Sequence, residues 1–526
     1  MPKYYAFLLL FFLISCKKEQ PEKHLPEKNN TEAMREPKSI AIDSMILVEK
    51  KKERLLAFYR SHGFGTVWNS PEIRKTIIKA LADSENEGLL PKDYKVAQLE
   101  KLEAKGNALS DKQMVDYDIL LTVSLQKYLW HLTKGKLNPT ELYRDWDLKV
   151  NQLDINTLLS NAMKGDSLVK AIEISKPHYI VYERLKKALK LINTFPKDTI
   201  KPIAFIKKIV RNDTNNSIIS IKRRLLYWKD LESADSLTNV YDRATYKAVK
   251  KFQFRHGLVP DGVIGQTTIA ALNISKDIRK EQIIANLERW KWYPKNMGDH
   301  YIIVNIAAFE LRIVKDGDTI ERKRVVVGKD KRKTPVLSST FNNIVFNPTW
   351  TVPPTILKED LTPSATTDRS YFAARGLTIY DHKGNVISPE KWNPKKARGY
   401  RYVQAPGNGN SLGNVKFNFP NHYTVYLHDT NHRDYFGKNF RSLSSGCVRV
   451  EDPLPLAEYM LDDEKNWSLE KIQELIESKK TTSINLKQKI KLHQLYWTAS
   501  MNDAGKLDFR ADIYNLDREL YKKLRN

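Results

Sequence analysis

The sequence predicts a multidomain α+β protein, because its hydrophobic spacing is helical along the first half and changes to strand-like alternation near residue 300. Apolar residues recur every three or four positions in stretches such as 73–81 and 119–125, as on one face of a helix. The period becomes two from residue 301, as in the run IIVNI at 302–306. A chain of 526 residues is too long for one hydrophobic core, so about two to four domains are expected.

Changes in period and composition divide the chain into consecutive regions. Residues 353–421 are rich in Pro, Gly and Asn and show little periodicity, which predicts a long loop that caps a substrate site. The predicted regions are a tether over 16–45, a helical scaffold over 46–210, a three-helix unit over 215–275, a connecting helix over 276–300, a mostly-β domain over 301–452 and a helical C-terminal extension over 453–526.

The N-terminus has the pattern of an export signal. Lys3 precedes an apolar run over residues 4–14, which predicts a signal peptide over 1–15. The run ends in LISC at 13–16, which resembles the bacterial lipobox and implies lipidation of Cys16. The alternative is a short buried segment that ends in an incidental cysteine. Lipidation would hold the protein at a membrane, in the cell envelope and facing the periplasm.

Cysteine usage agrees with export. The chain has two cysteines, and lipidation of Cys16 would leave Cys447 as a free thiol without a disulfide partner. A free thiol in an oxidising compartment is exposed to oxidation, so its presence there needs a chemical reason.

The formal net charge is +26, from 88 basic and 62 acidic residues. A basic balance first suggests nucleic acid as a partner. The export signal argues against nucleic acid, and no nucleic-acid-binding module is visible in the sequence. An anionic envelope polymer or membrane surface fits better, and part of the charge is ordinary solvated surface.

The three-helix unit ends in a recognisable pattern. Phe252-Gln253 is followed by HGL at 256–258, by DGVIG at 261–265 and by ALN at 271–273. This pattern resembles the small peptidoglycan-binding domain found beside cell-wall enzymes, and the resemblance implies affinity for glycan strands or stem peptides. A degenerate module that serves only for packing is the alternative.

The second cysteine lies in a motif suited to nucleophilic catalysis. Cys447 belongs to the run SSGCVR at 444–449, and His428 stands 19 residues upstream in YLHDT at 426–430. A cysteine attacks as its thiolate, whose usual pKa is about 8.5, so it needs a base or a cation nearby. His428 can accept the thiol proton and return it to a leaving amine. A buried structural cysteine beside a satisfied histidine would be the commoner explanation of an arbitrary pair.

Neighbouring residues fit the same chemistry. On a strand, Tyr426 and His428 point to one face while the residue between them points to the core. Gly446 permits a sharp turn, and its N–H together with that of Cys447 would stabilise an oxyanion. The guanidinium of Arg449 offers paired N–H donors for a substrate carboxylate or for the local backbone.

These two motifs together resemble the active-site signature of the L,D-transpeptidases, which have a YkuD-type catalytic domain. The resemblance is to the large YcbB-like branch, which joins a helical scaffold, a peptidoglycan-binding domain and the catalytic domain. Further matches lie at 286–290, 334–335, 404–407 with 410–417, and 496–499 with 509–514.

The resemblance implies roles for individual residues. The family nucleophile corresponds to Cys447 and the catalytic histidine to His428. The backbone carbonyl of Asp429 would orient the imidazole, and Tyr426 would assist at the oxyanion or the substrate. Many relatives have a histidine before the glycine, where this chain has Ser445, the form typical of this branch. Asn431 replaces the proline that usually follows the His-Asp-Thr run, so the geometry of that loop stays open.

The implied reaction is a two-step acyl transfer that releases D-alanine from a tetrapeptide stem and forms a 3→3 cross-link, with no cofactor and no metal. A hydrolase of the same fold, acting as a carboxypeptidase or endopeptidase, and a non-catalytic peptidoglycan-binding lipoprotein are the alternatives. The resemblance also implies reaction of the thiol with carbapenems.

Overall fold

In the computed structural model, the described residues are 39–49, 53–164, 167–233 and 237–526. Cys16, the predicted signal peptide and most of the predicted tether lie outside these residues. In the described ranges, none of the helices combines the length and the apolar character needed to cross a bilayer.

The N-terminal region is helical, as the sequence predicts, and packs around one long helix. Its helices are α1 Ser44–Glu49, α2 Glu53–Ser61, α3 Pro71–Ala82, α4 Val96–Glu103, α5 Asp111–Lys134, α6 Pro139–Leu142, α7 Ile155–Lys164, α8 Leu168–Ser175 and α9 Ile180–Asn193. A capping box between Ser110 and Gln113 begins α5. Asp118 of α5 accepts hydrogen bonds from the Tyr59 hydroxyl and the Trp68 N–H, which ties α2 and the following loop to the long helix.

The predicted three-helix unit is present, with α10 Ser217–Tyr227, α11 Arg243–Arg255 and α12 Gln266–Leu272. Gly262 has φ +74° in the turn between the last two helices, a conformation that favours glycine. The Gln253 side chain accepts a hydrogen bond from the Gly262 N–H and donates one to the Val263 carbonyl. This arrangement explains the FQ and DG residues of the sequence pattern as fold determinants.

A buried helix, α13 Lys276–Trp292, connects the other regions. Lys291 donates to the Glu87 carbonyl of the scaffold, and Glu288 accepts from the Leu137 N–H. Arg289 forms a buried ion pair with Asp517 near the C-terminus. These contacts hold the scaffold and the C-terminal region on the same helix.

The β region is built on one mixed sheet with the strand order β1-β5-β16-β2-β3-β4-β14-β12-β11-β6-β15, and β13 pairs with β4. The strands are β1 Trp146–Asp147, β2 His300–Asn305, β3 Glu310–Lys315, β4 Asp318–Gly328, β5 Val336–Thr340, β6 Asn343–Phe346, β7 Trp350–Thr351, β8 Leu377–Tyr380, β9 Val386–Ile387, β10 Arg401–Gln404, β11 Val415–Asn418, β12 Leu427–His428, β13 Ser442–Ser444, β14 Val448–Val450, β15 Thr482–Asn485, β16 Lys491–Leu495, β17 Ala499–Met501 and β18 Leu507–Phe509. The fold is therefore a multidomain α+β arrangement, as predicted.

The prediction of a loop over 353–421 is wrong. The segment contains the helices α14 Pro354–Ile356, α15 Thr362–Thr367 and α16 Tyr371–Ala374, and strands β7, β10, β8 and β9 form a separate small sheet. Phe372, Trp392 and Tyr402 are buried in a core of its own. The elements are only two to six residues long, too short to show a period in the sequence. We call residues 353–414 the cap.

The prediction of a purely helical C-terminal extension is also wrong. The helices α17 Pro453–Leu461, α18 Glu464–Trp467, α19 Leu469–Glu477 and α20 Asp517–Arg525 are present, but β16 lies inside the main sheet. It pairs parallel to β2 and antiparallel to β5. His493 and Gln494 of β16 are buried, and these polar residues hide the apolar pattern of a central strand.

Candidate active site

Five polar side chains share one face of the main sheet. His428 of β12 pairs in register with Lys416 of β11 on one side and with Arg449 of β14 on the other. The Val448 N–H donates to the Tyr426 carbonyl, so Cys447 lies beside Tyr426. Side chains alternate along a strand, which places all five on the same side of the sheet. The structure thus brings Cys447, His428, Tyr426 and Arg449 together, with Leu427 and Val448 buried on the opposite side.

The cysteine turn, residues 444–447, is held by its own hydrogen bonds. Gly446 has φ +114°, so a side chain here would strain the backbone. The Ser444 hydroxyl donates to the Cys447 carbonyl at 2.6 Å and accepts from the Gly446 N–H at 3.2 Å. Of the two amides expected to form an oxyanion hole, that of Gly446 is therefore already engaged. The Cys447 N–H has no hydrogen-bond partner in the described part of the chain.

A second layer fixes the turn from below. The Thr334 hydroxyl donates to the Gly446 carbonyl at 2.8 Å and accepts from the Gly328 N–H at 2.8 Å. The Tyr514 hydroxyl donates to the Gly328 carbonyl and accepts from the Thr334 N–H. Tyr514 stands in the C-terminal region, so the end of the chain supports the cysteine turn.

The imidazole of His428 is neutral at pH 7. Its burial and the nearby Arg449 guanidinium lower the pKa of His428 to about 3. The carbonyls of Asp429 and Leu412 favour the charged form to a smaller extent. Within the described ranges Nδ1 makes no hydrogen bond of normal geometry. The Asp429 carbonyl thus lies near the ring, as the resemblance implies, without a closed hydrogen bond.

The Asp429 side chain has a structural role that is separate from that of its backbone carbonyl. Its buried carboxylate accepts from the Asn414 N–H at 2.9 Å and from Arg433 at 3.2 Å. A Cβ added to Gly413, where φ is +57°, would lie 2.3 Å from this carboxylate. Asp429 therefore anchors the point where the cap returns to the sheet.

Opposing influences act on the pKa of the Cys447 thiol. Burial raises its pKa, whereas hydrogen bonds from the Tyr426 backbone and side chain, together with the charges of Lys416 and Arg449, lower it. Burial and the nearby thiol raise the pKa of Tyr426, so its hydroxyl keeps its proton. The resting site therefore holds a neutral imidazole and a protonated thiol on one cavity, and the charges of Lys416 and Arg449 act on the thiol.

Lys416 is a site residue that the sequence analysis does not single out. Its ammonium lies 4.1 Å from the centre of the Tyr426 ring, a cation–π contact. Burial lowers the pKa of Lys416, and the Cys447 thiolate opposes that shift. No carboxylate among the described residues pairs with it. Its run VKF predicts a strand, but only the register of β11 against β12 puts it beside the catalytic candidates.

Arg449 reaches across the same face. Its guanidinium lies 3.3 Å from the Thr430 hydroxyl and 5.7 Å from the centre of the Tyr435 ring. Its Nε is buried and has no hydrogen-bond partner in the described ranges. Arg449 thus retains one buried donor without a partner among the described residues.

Cys447, His428, Tyr426 and Arg449 line a cavity of about 400 Å³. The cap contributes Pro353, Thr355 and Ile356 to its wall, and Ser445 lies at its edge, where it accepts a hydrogen bond from Arg332 at 2.9 Å. Around the thiol the lining residues are Trp350, Ser411, Leu412, Val425, Tyr426, His428, Gly446, Cys447 and Arg449. The described residues contain no group of three or more His, Cys, Asp or Glu that could bind a metal.

Comparison with known proteins assigns this region. Residues 299–472 match the family model described as the L,D-transpeptidase catalytic domain. This chain has an L,D-transpeptidase catalytic domain. Residues 53–189 match the model described as "Scaffold domain", and residues 214–272 match "Putative peptidoglycan binding domain". The resemblance inferred from the sequence motifs is therefore confirmed.

Individual relatives agree with the domain assignment. A Haemophilus influenzae protein named "Putative L,D-transpeptidase" is 38% identical over 222 residues, which cover 42% of this chain and 45% of that protein. The match thus spans less than half of that relative's length.

Two solved L,D-transpeptidase structures also match. The structure from Stackebrandtia nassauensis is 13% identical, covers 56% of this chain and 97% of its own, and has a TM-score of 0.22. The structure from Xylanimonas cellulosilytica is 14% identical, covers 56% of this chain and 100% of its own, and has a TM-score of 0.19. At such low scores neither structure supports a statement about this chain.

Proposed function

We propose that this protein is an L,D-transpeptidase that cross-links peptidoglycan stem peptides through a thioester on Cys447. The observation that supports this proposal best is the strand register that puts Cys447, His428 and Tyr426 around one cavity. The catalytic-domain match supports the reaction class. The substrate follows from that class and from the match to a peptidoglycan-binding domain.

In the first half-reaction, the Cys447 sulfur attacks the carbonyl between the third, diamino-acid residue and the terminal D-alanine. The thiol proton passes to the imidazole of His428, and the carbonyl oxygen becomes an oxyanion. The unpaired Cys447 N–H is the donor available to that oxyanion. The C–N bond then breaks, D-alanine leaves with the proton from the imidazolium, and the thioester remains.

In the second half-reaction, the side-chain amine of another stem attacks the thioester carbonyl. The amine gives a proton to His428, the C–S bond breaks, and the sulfur recovers its proton from the imidazolium. A 3→3 amide bond forms and the enzyme returns to its starting state. Attack by water in place of the amine gives a shortened stem with a free carboxylate.

The protonation state of the resting site fits concerted proton transfer. With a neutral imidazole and a protonated thiol lining one cavity, the proton would move to the imidazole as the sulfur attacks. Lys416 and Arg449 favour the developing negative charge on sulfur or bind a carboxylate of the stem. Ser445, at the cavity edge, would contact the bound peptide.

The location follows from the substrate. We propose that the protein works in the cell envelope, with the module over 215–275 bound to stem peptides or glycan strands and a lipid on Cys16 holding it to a membrane. Replacement of Cys16 by Ser should release the protein from membranes on fractionation.

Mass spectrometry of the products tests the proposed reaction. Purified protein is incubated with disaccharide-tetrapeptide, and the Cys447→Ala variant is the control. A cross-linked dimer with released D-alanine, absent in the variant, is the expected result. Tripeptide alone would identify a carboxypeptidase, and no product would indicate a binding protein. Either of these results would contradict the proposed cross-linking activity.

A further inference from the structure

Arg332 links the cap to the cysteine turn across the mouth of the cavity. It lies in a short 3₁₀ turn, Asp330–Arg332, between β4 and β5. Its Nη1 and Nη2 donate to the two carboxylate oxygens of Asp360 at 2.6 and 2.8 Å, and its Nε donates to Glu359 at 2.9 Å. Nη1 also reaches the Ser445 hydroxyl at 2.9 Å. One guanidinium therefore contacts the cap and the residue two positions before the nucleophile.

The cap side of this link is a π-helical turn, Leu357–Leu361. Leu357 and Leu361 are buried in the core of the cap, while Glu359 and Asp360 face outward with 50% and 44% of their side chains exposed. The Arg332 side chain is only 17% exposed. The cap has its own hydrophobic core, so the two carboxylates hold its position and do not hold its fold.

The linked segment is also a wall of the active site. Pro353, Thr355 and Ile356 of the cap line the cavity, immediately before the turn that Arg332 holds. If this segment moves away, bulk water gains access to the thioester on Cys447. A closed site excludes water and limits hydrolysis of a reactive intermediate. An amine-resolved reaction therefore depends on keeping this wall in place.

We propose that Arg332 is a specificity-determining residue, which holds the cap against the cysteine turn and so favours resolution of the acyl-enzyme by an amine over resolution by water. This inference rests on the proposed function. Both outcomes break the same C–S bond and return the proton to sulfur. With an amine the product is an amide, and with water it is a carboxylic acid. Arg332 itself lines the cavity, and in this inference it acts through the position of the cap.

The test compares the ratio of hydrolysed to cross-linked product in variants that break this link. The variants are Arg332→Ala and the double variant Glu359→Gln/Asp360→Asn, which is isosteric and lies on half-exposed positions. Arg324→Ala is the matched control, because Arg324 forms a similar two-pronged contact with Glu451 and does not line the cavity. The rate of thioester formation is followed separately by intact mass in single-turnover reactions.

We expect the ratio to rise about fivefold in both link variants, the factor that corresponds to loss of a partly exposed ion pair. Thioester formation should stay within about twofold of the parent, and Arg324→Ala should leave the ratio unchanged. Arg332→Lys should restore part of the parent's low ratio of hydrolysed to cross-linked product, because lysine keeps the positive charge but lacks the two-pronged guanidinium. An unchanged ratio in the double variant, or an equal rise in Arg324→Ala, would overturn the inference. A parent enzyme that forms no thioester would instead overturn the proposed function.

Discussion

The cysteine turn and the cap face each other across one cavity but are held by different interactions. The turn is fixed by buried hydrogen bonds through Ser444 and Thr334 and by the register of neighbouring strands. On its Arg332 side, the cap is held by partly exposed ion pairs to Arg332, which in turn donates a hydrogen bond to Ser445 of the turn. Breaking a buried hydrogen bond leaves polar groups without a partner, which costs much free energy. Exposed ion pairs contribute little to stability and weaken with salt. The cysteine turn is thus held by interactions that cost more free energy to break than those that hold the Arg332 side of the cap.

The largest expected effect comes from removing the nucleophile. Cys447→Ala should abolish both D-alanine release and dimer formation, because no other described side chain in the cavity can form the thioester. A single carbapenem should add to the parent, on the peptide that contains Cys447, and none to the variant. Thermal unfolding should be unchanged, since the side chain is small and only partly buried. Activity of more than a few per cent in the variant would contradict the assignment.

Loss of the base should rank second. We expect His428→Ala to slow thioester formation by about 10² to 10⁴, the usual contribution of general-base catalysis. In the parent, the alkylation rate of the thiol should rise with pH through the neutral range, because burial raises the thiol pKa. It should show no inflection near pH 6.5, because His428 is neutral down to a pKa of about 3. Matching alkylation and acylation profiles in parent and variant between pH 6 and 9 would exclude His428 as the base.

Breaking the support beneath the turn tests its rigidity. Thr334→Val keeps the shape of the side chain but leaves the Gly446 carbonyl and the Gly328 N–H without partners. We expect the free energy of unfolding to fall by about 1 to 3 kcal/mol. Acylation should slow about tenfold, which corresponds to about 1.4 kcal/mol. The control is Thr319→Val on an exposed part of β4. Equal effects of both changes would mean that the turn does not depend on Thr334.

The smallest expected effect concerns charge at the sulfur. Lys416→Met removes a cation that lowers the pKa of the Cys447 thiol, so the pKa should rise and less thiolate should be present at neutral pH. A rise of one unit in the thiol pKa lowers the thiolate fraction about tenfold, so the alkylation rate at pH 7 should fall by about 3- to 10-fold. The pH profile should shift to higher pH without changing its shape. The exposed strand residue Lys315 provides the control, as Lys315→Met. An unshifted pH profile would show that Lys416 does not lower the pKa of the Cys447 thiol.

The sequence predicts local features well. The helical scaffold, the three-helix unit and the β alternation after residue 300 come from periodicity, which depends only on near neighbours. The pair of motifs around Cys447 and His428 was recognisable because each is short and continuous. Short cap elements and the buried polar strand β16 were not predictable, since their stability comes from contacts made after the chain has folded.

By itself the sequence determined which side chains are proposed for the chemistry: a cysteine after a glycine, an arginine two residues after that cysteine, and a histidine on a strand. Only the tertiary structure decided what surrounds them. Lys416 joins the site through strand pairing, Tyr514 supports the turn from the C-terminal region, and Arg332 meets Asp360 across the cavity. The physical reason is separation along the chain, because contacts between residues far apart in sequence are set by packing and register, which no local pattern encodes.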